Sequence, residues 1–324
     1  MAGETPDSGE LIEVVAGIVR DDRGRILLAE RPAGKHLAGT WEFPGGKREP
    51  GETGLQALAR EMAEELAISV GSARPWLALT HDYPELTVRL QLYAVDEWSG
   101  EPEGQEGQAL QWVGESDMAL LPMPAADRPI VRAFSLDPRY AITPDSAAPG
   151  GPEELLRWTR DCLDRGIRLF QLRATSLDPA DLRSLAREFG RLMVESGARW
   201  LLDGDPELAV QSGADGVQLP GERLDELSGR PLGGDFLVAA SCRNSAELAR
   251  AGELALDFVT LRPGSAACGH QGPLPFDWEE FARLCRCSPL PVFALGGLLP
   301  GDLERVRERG GFGVAGTHGF GAGP

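Results

Sequence analysis

Residues 45–68 read GGKREPGETGLQALAREMAEELAI. A 3.6-residue period runs through residues 53–66, with Leu55, Leu58, Met62 and Leu66 on one face, and predicts an amphipathic helix. Side chains at i, i+3 and i+4 share a face, so Glu61, Glu64 and Glu65 turn the same way, opposite that apolar stripe. Crowding like charges costs self-repulsion, and no run of lysines stands nearby to offset it. A divalent cation removes the cost, and a hard cation such as magnesium prefers carboxylate oxygen. Gly45 and Gly46 give the backbone room to approach a phosphate closely. Glu52 lies near the helix N-terminus, where negative charge is favoured. This combination points to metal-assisted chemistry on a phosphate.

Working outward, residues 11–19 are apolar and β-branched, Asp21-Asp22-Arg23-Gly24 reads as a turn, and residues 25–29 return as a second strand. Residues 87–95 alternate, with Val88, Leu90, Leu92 and Ala94 on one side, as a half-buried strand does. Residues 110–113 form another strand and residues 129–134 a terminal helix. Mixed strands with two helices predict an α+β sandwich. A second regime begins near Arg139. Strands at 140–143, 169–173, 200–202, 216–219, 237–240, 258–261, 292–295 and 313–316 alternate with helices such as 152–165, 180–195 and 245–251. That order predicts an α/β architecture, a (β/α)8 barrel of the TIM type. Only residues 317–324 follow the eighth strand, so the barrel lacks a full last helix. The Pro- and Gly-rich residues 144–152 are expected to form the first loop at the barrel's mouth. The domains are therefore placed at residues 1–136 and 137–324, joined by a short linker around residues 135–138.

The bulk properties agree. A length of 324 residues favours two domains. The formal net charge of −18 comes with no basic patch, which excludes a duplex nucleic-acid binder but not a nucleotide site. Cys162, Cys242, Cys268, Cys285 and Cys287 form an odd, unpatterned set, so a reducing compartment is expected rather than a disulfide scaffold. The polar, acidic first ten residues do not read as a signal peptide, and no apolar run approaches the roughly 20 residues of a membrane span. Cytoplasm is the expected location.

The 45–68 stretch resembles the Nudix box, Gly-x5-Glu-x7-Arg-Glu-φ-x-Glu-Glu-x-Gly-φ, through Gly46, Glu52, Arg60, Glu61, Met62, Glu64, Glu65 and Ile68. Ala67 departs, where the family has Gly to end the helix. Residues 41–47, WEFPGGK, are close to the LEFPGGK run of MutT-type 8-oxo-dGTP diphosphatases. The resemblance implies a Nudix α/β/α sandwich and hydrolysis of 8-oxo-dGTP to the monophosphate and pyrophosphate. It further implies magnesium, or manganese, held by Glu61, Glu64, Glu65 and Glu106, with Arg60 orienting the carboxylates and one Glu serving as base. Arg31, Glu42, Phe43, Gly45, Gly46 and Lys47 are implied at the substrate. The family's purine-reading Asn falls on Asp127, and an ionised Asp accepts hydrogen bonds but cannot donate.

Residues 139–320 resemble thiamine phosphate synthase and TenI-like proteins. The runs are Tyr140-Ala-Ile-Thr-Pro-Asp145, Gln171-Leu-Arg173, Ala214-Asp-Gly-Val-Gln-Leu-Pro220 and Ala294-Leu-Gly-Gly297 with Gly313-Val-Ala-Gly316. The resemblance implies a phosphorylated, thiamine-related ligand at Gln171, Arg173, Gly296 and Gly297. Thr175 stands where the synthases have Lys, Asp203-Gly204 where they have Asn-Asp, and Gln218 where they have His. Those departures remove charge stabilisation for a departing pyrophosphate, so a degenerate, ligand-binding barrel is expected. Two further functions follow from the fusion: hydrolysis of damaged thiamine diphosphate or its pyrimidine precursor, and a thiamine-phosphate sensor without turnover.

Overall fold

A computed structural model describes residues 10–35, 37–144, 151–173, 177–263 and 276–321. His36, Thr175, Cys268 and most of the expected mouth loop at 144–152 lie outside the described residues. The chain divides into two compact units, Met1–Val131 and Arg132–Pro324.

The first unit opens with β1 (Glu10–Ile18), β2 (Ile26–Glu30), β3 (Trp41–Glu42) and β4 (Gly45–Lys47). Next come α1 (Gly54–Leu66), β5 (Ser69–Asp82), β6 (Leu86–Ser99) and β7 (Leu110–Val113), and α2 (Arg128–Phe134) runs across the boundary between the units. One sheet has the order β4-β1-β6-β5, with β1 and β6 parallel and the other pairs antiparallel. The other sheet has the order β3-β2-β7. β5 was not expected. Its pairing with β6 slips at Val70, at Ser72 and between Pro75 and Leu77, which breaks the alternation a strand normally shows.

α1 buries Ala57, Leu58, Met62 and Leu66 against Val15, Val19, Leu27, Tyr93 and Val95. Leu55 corrects the expected stripe: it is 47% exposed. It sits in the first turn, where the Tyr93 phenol lies against neighbouring Gly54; a Cβ there would fall 2.0 Å from the Tyr93 Oη. The tryptophans Trp98 and Trp112 stack with their centroids 6.1 Å apart beside this core, as structural side chains do.

The second unit is a closed parallel barrel. Its elements are β8 (Arg139–Ile142), α3 (Gly151–Asp164), β9 (Leu169–Leu172), α4 (Pro179–Ser196), β10 (Arg199–Asp203), α5 (Pro206–Ser212) and β11 (Gly216–Pro220). It continues with β12 (Leu237–Cys242), α6 (Ser245–Glu253), β13 (Phe258–Leu261), α7 (Trp278–Cys285), β14 (Val292–Leu295), α8 (Leu303–Glu308) and β15 (Gly313–Gly316). The strands close in sequence order, with β15 pairing β8. Between β11 and β12 the crossover is only a 3₁₀ turn at Gly221–Glu226. Among the described residues, no helix follows β15. Capping is regular: Asp178 receives the amides of Ala180 and Asp181 at the start of α4, and Asp205 does the same for α5. No described helix is long and apolar enough to cross a membrane.

Candidate active site

The acidic residues are fixed by the two ends of α1. Thr53 and Gln56 form a reciprocal capping box, with Gln56 Oε1 accepting the Thr53 N–H at 2.8 Å. At the other end Ala67 adopts the left-handed conformation, φ 55°, and its N–H donates to the Ala63 carbonyl. The helix therefore stops where the Nudix pattern stops it, although the residue is not glycine.

Arg60 organises the carboxylates. Its Nε and Nη2 donate to Glu52 Oε1 and Oε2 at 2.8 and 2.9 Å, a fork-on-fork pair. Nη2 also reaches the Lys47 carbonyl at 3.0 Å. Nη1 donates to Glu61 Oε1 at 2.7 Å and to Glu64 Oε2 at 3.3 Å. The guanidinium holds the Glu52 carboxyl down at about 2. Glu52 thus acts by anchoring Arg60, which corrects the expectation that it simply answers the helix terminus.

The glycines of β4 make room for carboxylates. A Cβ at Gly46 would lie 2.3 Å from Glu61 Oε2. A Cβ at Gly45, φ 151°, would lie 2.1 Å from the Val15 carbonyl oxygen, so only glycine lets β4 pair with β1 there. The Gly45 N–H donates to Glu65 Oε2 at 3.1 Å. The space expected for a phosphate is, at Gly46, filled by Glu61.

Burial pushes the Glu65 carboxyl up to about 7; the Gly45 amide opposes this, and Glu61, Glu106 and Glu42 reinforce it. Glu106 is ion-paired with Lys35. The Glu64 side chain is 63% exposed. Among the described residues, no three His, Cys, Asp or Glu side chains stand together as a finished metal cluster; Arg60 lies among Glu61 and Glu64 instead. The donors are nevertheless carboxylate oxygens, the ligands a hard divalent cation takes. The repulsion from Glu61, Glu106 and Glu42 that adds to the effect of burial on Glu65 is what such a cation would remove. The residues present fit magnesium or manganese.

A second cluster lies around β2 and β3. Arg31 Nε donates to Glu42 Oε2 at 2.6 Å, and burial raises the Glu42 carboxyl despite this pair. Phe43 is buried and Lys47 is exposed. Asp127, in the 3₁₀ turn Ala125–Asp127, is 5% exposed. Burial pushes its carboxyl up to about 7, with Glu42 adding and Arg31 opposing. Tyr83 feels Asp127, Arg31 and Glu42 together, and it stacks edge-on to His81 at 4.5 Å. Sequence reasoning missed Lys35 and Tyr83. Neither belongs to a periodic pattern, and both enter the site only through the pairing of distant loops.

In the barrel Gln171 is buried and gives its Nε2 to Asp203 Oδ1 at 2.8 Å. Gln218 is fully buried: its Oε1 accepts from Tyr140 Oη at 3.1 Å and its Nε2 donates to Ser241 Oγ at 3.1 Å. Burial raises the Asp203 carboxyl, against the opposing pull of Gln171 and Arg173. Arg173 is exposed, with its amide donating to Thr143 Oγ1 at 2.9 Å. Gly296 and Gly297 follow β14 with φ of 148° and 73°.

Comparison with known proteins follows the same division. Residues 15–133 match the family profile described as NUDIX domain, and residues 139–320 match that described as Thiamine monophosphate synthase. An 8-oxo-dGTP diphosphatase of Haemophilus influenzae is 38% identical over 122 residues, 38% of this chain and 90% of the relative. A CTP pyrophosphohydrolase of Escherichia coli is 39% identical over 125 residues, 39% of this chain and 92% of the relative. A thiamine-phosphate synthase of Thermosynechococcus vestitus is 32% identical over 172 residues, 50% of this chain and 47% of the relative.

Proposed function

The chain belongs to the Nudix family through residues 15–133 and to the thiamine monophosphate synthase family through residues 139–320, and from that premise we propose a metal-dependent pyrophosphohydrolase of nucleoside triphosphates, 8-oxo-dGTP foremost. The observation that carries the reading is the Glu52–Arg60–Glu61 chain, which presses the Glu61 carboxylate against Gly46 beside the half-buried Glu65. Glu61, Glu64, Glu65 and Glu106 would hold magnesium, with manganese as the alternative. When bound, the ion supplies neutralisation of phosphate charge and a more acidic water.

The remaining work falls to the chain's own residues. Arg60 keeps Glu61 turned toward β4. Lys47 offers a donor to a phosphate, and Arg31, Glu42, Phe43 and Asp127 receive the nucleoside. One carboxylate of the acidic helix takes a proton from the attacking water as the water oxygen bonds to phosphorus. The phosphoanhydride bond breaks and its electron pair leaves with pyrophosphate, giving the nucleoside monophosphate. Such a displacement is driven mostly by positioning and electrostatics.

The barrel reads as a ligand-binding domain for a thiamine-related phosphate, without synthase turnover. Asp203 is engaged with Gln171, and Gly204 brings no second carboxylate beside it. Membership of this family by the larger unit favours one alternative substrate, thiamine diphosphate or its pyrimidine precursor. Product analysis on the full chain tests both readings, with 8-oxo-dGTP, dGTP, ADP-ribose and thiamine diphosphate, each with magnesium or with chelator. Pyrophosphate and 8-oxo-dGMP as the fastest-formed products, only with metal, are expected. Fastest cleavage of thiamine diphosphate would transfer the function to the alternative. Binding without turnover of any compound would make the chain a sensor.

A further inference from the structure

Arg60 and Lys35 both pair with acids of the candidate site, and the fold holds them differently. Arg60 is 24% exposed and is fixed by Glu52, Glu61 and the Lys47 carbonyl. Lys35 is 54% exposed and pairs end-on with Glu106 Oε2, on a side chain that is itself 46% exposed.

The carboxylate is the fixed half of this second pair. The Gln105 N–H and Gln108 Nε2 both donate to the Glu65 carbonyl at 3.0 Å, and the Glu103 N–H donates to the Leu66 carbonyl at 3.0 Å. Residues 103–108 thus satisfy the last carbonyls of α1 and carry Glu106 to the side of Glu65. The Glu106 N–H is held in turn by Gln108 Oε1 at 2.8 Å. The lysine is the movable half. Its turn is rooted where the Gly39 N–H donates to the Arg31 carbonyl at 3.0 Å and the Lys35 N–H to the Pro32 carbonyl at 3.2 Å. The ammonium, however, rides on a flexible alkyl stem. Glu65 and Glu42 also act on that ammonium. Glu42, Glu65 and Glu106 therefore converge on one place, and the positive charge filling it is the chain's own.

An ammonium offers a carboxylate a single point charge, whereas a divalent cation brings twice the charge and takes several oxygens at once. An exposed ammonium–carboxylate pair is weak and yields to such a competitor. The freed ammonium then stands beside the phosphates that the bound cation attracts. We infer that Lys35 is a tethered counter-ion with two successive partners: it holds Glu106 while the site is without metal, and it binds a phosphate of the substrate once that carboxylate is taken by a divalent cation. This inference rests on the metal-dependent hydrolase reading and deepens it. Lys35 becomes both a brake on metal binding and a substrate-binding residue.

Two measurements on the full chain test this. Manganese affinity is taken by equilibrium binding without nucleotide, in about 0.15 M salt, where more distant charges are screened. Lys35→Met should tighten it about threefold, the worth of an exposed pair. In a Glu106→Gln background the same change should leave the affinity as it stands, because the contested carboxylate is gone. KM and kcat for 8-oxo-dGTP are taken at saturating magnesium. Lys35→Met should raise KM about tenfold with kcat little altered, the loss of a charge-assisted hydrogen bond to phosphate. Lys35→Arg should restore KM. Manganese affinity unchanged by Lys35→Met, or tightened equally with and without Glu106, overturns the inference, as does an unchanged KM; each of these leaves the hydrolase reading standing. An unaltered chain that binds no manganese, or turns over no nucleotide, overturns the hydrolase reading and this inference with it.

Discussion

The two units spend their carboxylates differently. In the barrel, acids placed at the starts of strands clasp the neighbouring strand. Asp137 Oδ2 accepts the Arg168 N–H at 2.8 Å, Asp215 Oδ2 accepts the Trp200 N–H at 2.9 Å, and Asp257 Oδ2 accepts the Val238 N–H at 2.6 Å. Arg139 and Arg230 complete two of these clasps. Such acids are satisfied by backbone and guanidinium, and they hold the sheet closed at its N-terminal face. In the first unit Glu65 and Asp127 are both half-satisfied or worse, and burial lifts both to about 7. Charge that the fold has neutralised is structural; charge left unbalanced is where a cation or a ligand is needed.

The contrast breaks first, and most visibly, at α1. Glu65→Gln removes a carboxylate without changing shape, and hydrolysis by the full chain is expected to fall at least about a hundredfold. The far-ultraviolet spectrum should be unchanged. Asp215→Asn in the barrel, assayed beside it, should leave hydrolysis within about twofold. Comparable losses in both would mean that the distinction between the two sets of acids is false.

Asp257→Ala probes the opposite side. It strips the Val238 amide and Arg230 of their buried acceptor, a loss expected to cost about 3 kcal/mol in the unfolding transition of the barrel. Denaturant titration measures the cost, and nucleotide hydrolysis in the folded variant should be unaltered.

Asp127 gives a smaller and pH-dependent effect. Its folded carboxyl titrates at about 7, above the ordinary value of 3.8. Below pH 4 both folded and unfolded chains hold the proton, and the group is neutral in its influence. As pH rises from about 4 to 7 the unfolded chain releases the proton first, so the folded state loses stability, and the full penalty is present above 7. Asp127→Asn removes this slope. At pH 8 it should unfold at a higher denaturant concentration than the unaltered protein, and the difference should vanish near pH 4. Equal stability at both pH values would mean that the buried carboxyl is solvated after all.

Much of this division was readable in advance, because it rests on local patterns. The eight barrel strands stand within a few residues of where apolar runs alternate with helices, and α1 lies where its 3.6-residue period and the Nudix pattern place it. What escaped was non-local. β5 carries Gly71 and Pro75 and slips register against β6, so no period marks it. Leu55 obeys the helical period yet stands exposed in the first turn, a packing fact that spacing does not hold. The pairing of Lys35 with Glu106 joins residues 71 apart in sequence. Gly46 reads as room for a phosphate because sequence shows that a side chain is missing and not what fills the space.

Ala67 is the finest point at which the comparison can be sharpened. It holds φ 55° and ψ 28° at the C-cap of α1, where its N–H reaches the Ala63 and Met62 carbonyls. A Cβ in that region crowds the following carbonyl, and the barrel helices α4 and α5 avoid the problem with Gly197 and Gly213. Ala67→Gly should therefore stabilise the first unit by about 1 kcal/mol, net of the greater freedom glycine brings to the unfolded chain. Because the change leaves Glu61, Glu64 and Glu65 untouched, hydrolysis should be unaffected at moderate temperature, while the temperature of half-inactivation rises. A stabilised variant with markedly lower turnover would show that the strained cap helps aim the acidic helix, and that the helix end belongs to the site rather than to the scaffold.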